Sequence, residues 1–326
     1  MKSISNLTLK KRVLWIDIAR AIGIQFVLIG HLTNPIQPFI FSWHMPFFFI
    51  ISGLVIDTRS NLKATIVKDF RSLIFPFIIF SFVALIIELP KRLVLNREPL
   101  NYTEQVKNIL IWWDYDSLVG TYAFVLWFLP ALFFAKLFTI VLLKFIRLQV
   151  CHVAVLMLCF LTGYNFDLIF SLDEALTATP FVYVGHRLFK LLTKEHFIHK
   201  TKIPIFVLSI FATCFFLQLG VPELDFAIKE FRPLIYSIIW SILISIIIFF
   251  ICLSLTAFYR FFILFINGAM TFYIMHPYTH NIADQLRQFL EIHSWIFTYL
   301  VSLSFLLALD VIYNRVKVTI SNVTKN

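Results

Sequence analysis

Charged residues are scarce in this chain, and their scarcity excludes a soluble globular protein. Only 14% of the 326 residues are Asp, Glu, Lys or Arg, whereas an ordinary soluble domain has about 25%. Hydrophobic residues make up 60% of the chain, and the mean hydropathy is +0.86. Long apolar runs recur throughout, in place of the short alternating segments of a membrane barrel. The composition therefore predicts an all-α, polytopic integral membrane protein.

Cysteine is also rare, and its spacing excludes a disulfide framework or a cysteine metal site. Cys151, Cys159, Cys214 and Cys252 fall in or beside apolar runs, without paired spacing. We expect them to be small hydrophobic residues of the core, and we predict no metal and no prosthetic group. The sequence also lacks an internal repeat and any polar stretch long enough to fold separately. Residues 1–326 are therefore predicted to form a single membrane-embedded domain.

Apolar runs bounded by polar residues, Pro or Gly predict about ten transmembrane helices. The first run contains Asp17 and Arg20 and shows no small-residue cleavage site, so we expect it to be a retained helix. The sixth is the least well defined, because Asp173 and Glu174 precede it and Pro180 interrupts its start. The ten predicted spans lie near residues 13–33, 43–57, 73–89, 121–142, 149–163, 175–192, 203–220, 233–256, 261–280 and 294–313.

The formal net charge of +10 is divided unevenly between the two sides of the predicted bundle. Cytoplasmic loops carry the excess of Lys and Arg in membrane proteins, and a cytoplasmic N-terminus places most of the basic residues on that side. Ten spans with both termini cytoplasmic, in the cell inner (cytoplasmic) membrane, are therefore self-consistent. This asymmetry accounts for the basic charge, so no nucleic acid partner is predicted. The basic residues left on the opposite side are Lys91, Arg92, Arg97, Lys107, Lys229, Arg232 and Arg287.

Four ionisable residues, Asp17, Arg20, His31 and His44, cluster in the first predicted hairpin. Ionisable residues inside a membrane are costly and by default mark a functional site. Eleven residues make about three helical turns, so Arg20 and His31 are predicted to share one face, about 16 Å apart along the axis. Asp17 is expected to pair with Arg20 at the i, i+3 spacing. The cluster makes the chain a candidate enzyme with a long substrate.

The two histidines of this hairpin have different predicted roles. His31 has the chemistry of a general base, because its ordinary pKa lies close to neutrality. The alternative is a helix-end histidine bonded to a backbone carbonyl. His44 precedes Pro46 and is predicted to begin the second span, facing His31 across the turn. An interfacial helix cap is the alternative for His44. Ser52, with Gly53, is a candidate cavity residue, although small residues there also permit close helix packing.

Lys68 and Arg71 form a second basic group, on the approach to the third span. Their i, i+3 spacing places both on one helix face, which suits a phosphate group. Arg147 and Arg187 lie on the same predicted side, where they fit a plain positive-inside signal better.

Trp127 and His276 are predicted to lie at the depth of His31, toward the outer side of the bundle. Both are candidate substrate-lining residues, although Trp127 is also typical of an interfacial aromatic belt and His276 of a helix end before Pro277. The loop of residues 90–120 lies on the same side. We interpret it either as a lid or rim over a polar acceptor or as a plain connector.

Several of these segments together resemble the acyltransferase 3 family of membrane O-acyltransferases, particularly its fucose 4-O-acetylase-like branch. The resemblance covers the whole chain in order, and its first hairpin is the most specific part. The residues that carry it are Asp17 and Arg20 in IDIAR, Gly30 and His31, the stretch HMPFFFIISG from His44 to Gly53, Lys68 with Arg71 and Pro76, Trp127 in WFL, and His276 at the end of MTFYIMH.

The resemblance implies a ten-span enzyme that moves an acyl group, usually acetyl, from cytoplasmic acetyl-CoA to a hydroxyl of a surface or lipid-linked glycan. Arg20 and His31 match the arginine and histidine of the family's first span. Lys68 replaces one of two paired arginines, which keeps the charge but loses a bidentate fork. The donor's phosphates are then expected at Arg20, Lys68 and Arg71. His31 is expected to deprotonate the acceptor, and His44 to stabilise the oxyanion.

Two other classes of protein stay open at this point. Buried charges around a cavity also mark the substrate path of a transporter or flippase, but paired, interrupted spans in two matching halves are not evident. A non-catalytic membrane scaffold does not need Arg20 and His31 on one face. The expected partners are the lipid bilayer, acyl-CoA and a glycan acceptor, and a homo-oligomer is left open.

Overall fold

The computed structural model describes residues 13–94, 98–193 and 195–323, and helices dominate them. Apolar runs form helices because a helix satisfies its own backbone hydrogen bonds away from water. A π-helical turn, Phe70–Ile74, joins the helices Leu62–Asp69 and Phe75–Val94, and a 3-10 turn, Tyr122–Trp127, leads into the helix Phe128–Phe145. The helices are α1 (Leu14–Gly30), α2 (Gln37–Phe41), α3 (His44–Leu54), α4 (Leu62–Asp69), α5 (Phe75–Val94), α6 (Tyr102–Ile111), α7 (Tyr115–Leu118), α8 (Phe128–Phe145), α9 (Gln149–Asn165), α10 (Leu172–Thr193), α11 (Glu195–Leu217), α12 (Leu234–Ser254), α13 (Tyr259–Phe289) and α14 (Trp295–Val323).

The predicted class, an all-α membrane protein, is confirmed apart from one short hairpin. A helix lies in each of the ten predicted ranges. The number of helices that cross the bilayer and the side on which the termini lie stay predictions. By length and composition, four helical stretches of the described residues can cross a membrane, namely Leu62–Val94, Tyr122–Phe145, Leu234–Phe289 and Trp295–Arg315.

The hairpin consists of two antiparallel strands, β1 (Glu223–Asp225) and β2 (Glu230–Arg232), between α11 and α12. Lys229 at its turn forms ion pairs with Asp167 and Asp173, each at 2.7 Å. Phe226 is almost fully buried and lies parallel to the Trp127 ring, with 6.2 Å between the ring centroids. The hairpin therefore closes over the bundle next to Trp127, a contact between distant segments that the apolar runs do not predict.

Helix α13 continues nine residues beyond the predicted end of its span, to Phe289. The added turns are polar and hold themselves together by side-chain pairs three or four residues apart. Arg287 donates to Asp284 from both Nε and Nη2, and Gln288 donates to the second oxygen of the same carboxylate. Hydropathy falls here while the helical period continues, so the apolar run ends before the helix does.

Helices α3 and α10 cross with their backbones in direct contact at two glycines. A Cβ atom added to Gly53 would lie 1.9 Å from the carbonyl oxygen of Val182, and one added to Gly185 would lie 2.0 Å from that of Ile50. Neither position has room for a side chain. The prediction that a small residue permits close packing in the second span is therefore confirmed for Gly53.

Helices α1 and α3 place the two histidines of the first hairpin at one end of the bundle. Helix α1 ends at Gly30, immediately before His31, and α3 begins at His44, as predicted. Arg20 lies in the first half of α1. We refer below to the two ends of the bundle as the Arg20 end and the His31 end.

Candidate active site

Helix α1 carries an ion pair, Asp17 and Arg20, in its first half. Arg20 Nη1 lies 3.5 Å from Asp17 Oδ1, so the predicted i, i+3 ion pair is confirmed. The Asp17 residue is buried, whereas 41% of the Arg20 side chain is exposed. A carboxylate packed in the bundle thus holds the guanidinium, and Arg20 lines a cavity at this end.

The cavity at this end, which we name the Arg20 cavity, has a volume of about 300 Å³. Apolar residues form most of its wall, and the serine predicted to line a cavity, Ser52, belongs to it. The Ser52 hydroxyl donates to the carbonyl of Phe49 in the same helix at 2.7 Å. The wall includes Arg20, Val27, Met45, Phe48, Ser52, Leu132, Lys136 and Tyr273.

A second cavity, the central cavity, has a volume of about 220 Å³ and brings together three of the predicted site residues. His31, His44 and Trp127 all line it, as does Tyr115 of the loop between α5 and α8. Trp127 is therefore placed in the wall of a cavity rather than in an exposed aromatic belt. The loop predicted as a lid, rim or connector contributes at least one side chain to this wall. Asp225 of the hairpin completes the wall.

A third cavity, the mouth cavity, has a volume of about 490 Å³ and opens at the His31 end. His276 lines it, together with residues of the polar extension of α13. Its wall has more polar character than that of the Arg20 cavity, and several of its residues can hydrogen-bond a hydroxylated ligand. The wall includes His31, Tyr122, His276, His280, Asn281, Asp284, Arg287, His293 and Trp295.

Shared wall residues join the three cavities in one series. Val27, Met45 and Tyr273 line both the Arg20 cavity and the central cavity. His31 and Phe124 line both the central cavity and the mouth cavity. His31 therefore stands at the junction between the space that leads toward Arg20 and the space that opens at the other end.

The rings around His31 leave its nitrogens available for a ligand. The centroid of His31 lies 4.9 Å from that of His276, 5.8 Å from that of Phe41 and 6.0 Å from that of Phe124. Within the described part of the chain, no hydrogen bond ties its ring to a backbone or side-chain group, so the alternative of a helix-end histidine bonded to a carbonyl is not what the structure contains. Aromatic rings pack around the imidazole, and His31 lines both the central cavity and the mouth cavity.

His44 and His276 each use Nδ1 to bond a backbone carbonyl. The Nδ1 atom of His44 lies 3.0 Å from the Ile40 oxygen, and that of His276 lies 2.7 Å from the Tyr273 oxygen. A carbonyl only accepts, so Nδ1 carries the proton and Nε2 of each neutral ring presents a lone pair. Both rings are buried, and Nε2 of His276 has no partner among the described residues. Neutral His44 is thus better suited to accept a hydrogen bond than to donate one to an oxyanion.

A fourth histidine, His280, ties α13 to α1 beside the site. Its Nε2 donates to the carbonyl of Leu28 at 2.7 Å, and its Nδ1 lies 2.7 Å from the hydroxyl of Ser302. The Leu28 carbonyl belongs to the last turn of α1, three residues before His31. This bond across 252 positions of sequence fixes the end of α1 against α13 and therefore sets the separation of His31 and His276.

The basic pair Lys68 and Arg71 lies together but apart from Arg20. Both line an open cavity of about 680 Å³ with Lys63, which we name the basic cavity. The π-helical turn begins after Asp69, so the two residues share this wall across a change of helix type. Arg20 does not line this cavity. Their predicted common face is confirmed, whereas their joint contact with Arg20 and one ligand stays a prediction.

The connection between the two basic regions is Lys136, a residue that the sequence interpretation passed over. It lines the Arg20 cavity and also a smaller cavity of about 190 Å³ that includes Lys68 and Asp69. Its signal in the sequence is a lone lysine inside the predicted span of residues 121–142. His280 was also missed, although its spacing of four residues from His276 places both on one face. Tyr115 and Asp225 carry no comparable signal.

Two cavity residues outside the predicted spans have shifted acid–base properties. Burial raises the pKa of Asp225 above its ordinary value, and Glu230 and Asp116 raise it further, against hydrogen bonds from the backbone of Ala227 and Ile228. Burial also raises the pKa of the Tyr115 hydroxyl, with Asp225 and Asp116 adding to the shift. Tyr115 therefore keeps its proton and can serve as a hydrogen-bond donor at the central cavity.

The fold and this series of cavities define a membrane protein with a candidate catalytic histidine at the junction of two cavities. A family model described as an acyltransferase domain, that of the acyltransferase 3 family, matches residues 13–313. The chain belongs to the acyltransferase 3 family and is an acyltransferase. No curated protein and no solved structure matches the chain significantly.

Proposed function

We propose that the chain is an O-acetyltransferase that moves an acetyl group from cytoplasmic acetyl-CoA to a hydroxyl of a surface or lipid-linked glycan. The proposed protein has ten membrane spans with both termini in the cytoplasm, lies in the inner membrane and belongs to the fucose 4-O-acetylase-like branch. The observation that carries the proposal is the position of His31, which lines the last cavity on the way from Arg20 and the first cavity on the way from the opposite end.

The donor side of the proposal rests on a match between shape and chemistry. Coenzyme A has a phosphate-rich head and a long, weakly polar arm that ends in the thioester. The Arg20 cavity is mostly apolar and carries cations at its edge, Arg20 and Lys136. The distance of about 16 Å along α1 from Arg20 to His31 is comparable to the extended arm. The head is then held at the Arg20 end while the thioester reaches the central cavity.

The acceptor side rests on the polar and aromatic wall of the mouth cavity. Asn281, Asp284 and His293 offer hydrogen-bonding groups, and Tyr122 and Trp295 offer aromatic surface. A saccharide needs both, since its hydroxyls require partners and its apolar faces pack on rings. This wall supports a glycan acceptor that approaches from the extracytoplasmic side in the predicted topology.

The reaction follows from these positions. The acceptor hydroxyl approaches from the mouth cavity, and a ring nitrogen of His31 takes its proton as the oxygen attacks the thioester carbon. The C–S bond of the resulting tetrahedral intermediate then breaks, and the leaving sulfur receives the proton from His31. The products are the acetyl ester and free coenzyme A, so one proton moves from oxygen to sulfur through a single histidine.

Stabilisation of the oxyanion requires hydrogen-bond donors at the central cavity. The neutral ring of His44 presents a lone pair at Nε2 and cannot donate a hydrogen bond from that atom. His44 therefore meets the requirement only as the imidazolium. Tyr115 and Trp127 line the same cavity and carry an O–H and an N–H group respectively. We propose these two as the principal donors, with His44 and His276 as acceptors that orient the attacking hydroxyl.

Two measurements test the proposed function together. Purified protein in nanodiscs is incubated with acetyl-CoA labelled in the acetyl group, and surface glycans of cells with and without the protein are compared by mass. The expected results are consumption of the thioester and glycans that differ by one acetyl group. Unaltered glycans together with an intact thioester would overturn the proposal.

A transporter or flippase is the competing function, and the continuous series of cavities is the observation that favours it. Such a protein moves its substrate across the membrane without chemical change. Movement of a glycolipid or polar solute across proteoliposomes with no coenzyme A released would support this alternative. Thioester cleavage that depends on an added saccharide would support the transferase.

A further inference from the structure

Lys136 and Asp69 form an ion pair inside the helical bundle. The Nζ atom of Lys136 lies 2.6 Å from Oδ2 of Asp69, and the two side chains are only 17% and 12% exposed. Removing two charges from water costs as much as such a pair regains, so a buried ion pair is weak evidence for a stabilising role. A charged pair at this depth instead points to function.

The position of Lys136 links it to the donor path. On α8 it follows Trp127 by nine residues, which is about 14 Å along a helix axis. Arg20 lies about 16 Å from His31 on α1, and His31 and Trp127 share the central cavity. Lys136 therefore lies at nearly the depth of Arg20, and both line the Arg20 cavity.

Lys136 also lines a second cavity, which we name the Asp69 cavity because its carboxylate partner lies in the same wall. Lys68 and Asp69 line it, as do Asp57, Ser60 and Thr65. Lys68 also lines the basic cavity with Lys63 and Arg71. The walls of these neighbouring cavities thus carry more cations than carboxylates. An anion that enters this region therefore reaches the ammonium group of Lys136 at the position where it now pairs with the Asp69 carboxylate.

We propose that Lys136 binds a phosphate of the donor's nucleotide head, and that Asp69 holds this position until the donor arrives. The inference rests on the proposed function, because it takes acetyl-CoA as the donor. The phosphate replaces the carboxylate as the partner of the ammonium group, and Asp69 then has Lys68 as a second cation in its own cavity. A phosphate carries three acceptor oxygens and binds a lysine as a compact point charge.

This exchange predicts opposite effects for the two partners of one ion pair. Lys136→Met removes the cation that the phosphate needs, so donor affinity falls. Asp69→Asn keeps the shape of the side chain but removes the competing charge, so donor affinity rises. A pair that only holds α8 against α4 predicts loss of affinity from either change, because each leaves one buried charge without its partner.

The experiment measures apparent dissociation constants for acetyl-CoA and for S-acetyl-pantetheine, which lacks every phosphate. The readout is ligand-dependent thermal stabilisation of the purified full chain. Loss of a charge-assisted contact predicts that Lys136→Met weakens acetyl-CoA binding by about tenfold or more and leaves S-acetyl-pantetheine binding unchanged. Asp69→Asn strengthens acetyl-CoA binding, and the double variant binds it as weakly as Lys136→Met although its charges are balanced.

Lys144→Met is the matched control, because Lys144 lies on the same helix and donates to the Ser60 carbonyl rather than to a carboxylate. It is expected to bind both ligands like the unmodified protein. Equal weakening of both ligands by Lys136→Met, as a purely structural role would produce, would overturn the inference, and so would unchanged acetyl-CoA binding, as a lipid phosphate at this site would produce. So would restored acetyl-CoA affinity in the double variant. Absence of any acetyl-CoA binding or cleavage by the unmodified protein would instead overturn the proposed function itself.

Discussion

The two ends of α1 lie beside cavities that carry different kinds of ionisable group. At the Arg20 end the cavities carry permanent cations, Arg20 and Lys136, each held by a neighbouring carboxylate. At the His31 end the cavities carry imidazole rings, and His276 and His44 are held by backbone carbonyls. Fixed charge suits recognition of an anionic head, whereas neutral rings with open lone pairs suit proton transfer.

In the proposed function, donor binding belongs to the Arg20 end and chemistry to the His31 end, and kinetics can separate the two. Loss of a contact that is equally strong in substrate and transition state raises KM, whereas loss of one made only in the transition state lowers kcat. Variants at four positions test this division. Two positions are at the His31 end, one is at the Arg20 end, and one lies in the contact between α13 and α1.

The largest effect is expected for His31→Ala. Removal of a positioned general base predicts a loss of about 10²–10⁴-fold in kcat, measured as transfer of labelled acetyl. Binding of acetyl-CoA is expected to persist, since the donor head lies at the other end of α1. Full activity in a correctly inserted His31→Ala protein would show that the proposed proton transfer does not take place at this end.

Arg20→Met is expected to act almost entirely on KM. Hydrogen bonds to charged groups contribute about 1.5–3 kcal/mol, so the KM for acetyl-CoA is expected to rise by about tenfold or more while kcat changes little. Arg20→Lys keeps the charge but loses the bidentate geometry of the guanidinium, so its KM is expected to lie between those of the unmodified protein and of Arg20→Met. A fall in kcat with unchanged KM would show that Arg20 contributes to the chemical step and that the two ends are not separate.

The contrast between the ends was only partly predictable from sequence. Arg20 lies in α1 and His31 immediately follows that helix, so a period of 3.6 residues predicts that both face the same way. The contacts between Lys136 and Asp69 and between His280 and Leu28 join helices that are far apart in the sequence. Hydrophobic periodicity gives the buried face of each helix but not the partner against which that face packs.

Segments outside the apolar runs were the least predictable part of the site. Tyr115 and Asp225 reach the central cavity from two connecting segments whose conformation depends on tertiary contacts, such as the ion pairs of Lys229. The last two turns of α13 were missed for a different reason. Their polar residues satisfy one another at helical spacing, and hydropathy does not report such pairs.

Within the His31 end, variants of His276 test whether this residue belongs to the acceptor side of the reaction. His276→Asn can keep an N–H group near the Tyr273 carbonyl but loses the lone pair at Nε2, whereas His276→Gln can place an amide oxygen near that lone pair. If Nε2 orients the acceptor hydroxyl, the asparagine variant is expected to lose about tenfold in kcat, a typical charge-free hydrogen-bond contribution, and the glutamine variant less. Equal losses in both variants would show that the ring acts by packing alone.

The smallest effect on chemistry is expected for His280→Leu, which tests whether the two ends depend on a shared frame. The leucine fills the space but leaves the Leu28 carbonyl and the Ser302 hydroxyl without their partner. Buried polar groups left without a partner cost about 1–3 kcal/mol, so thermal unfolding is expected at a lower temperature. Because the bond to Leu28 sets the end of α1 and not its beginning, kcat should fall modestly while the KM for acetyl-CoA stays unchanged. A rise in KM that matches the fall in kcat would mean that α1 shifts as one rigid body, and that the division of labour between its ends depends on α13.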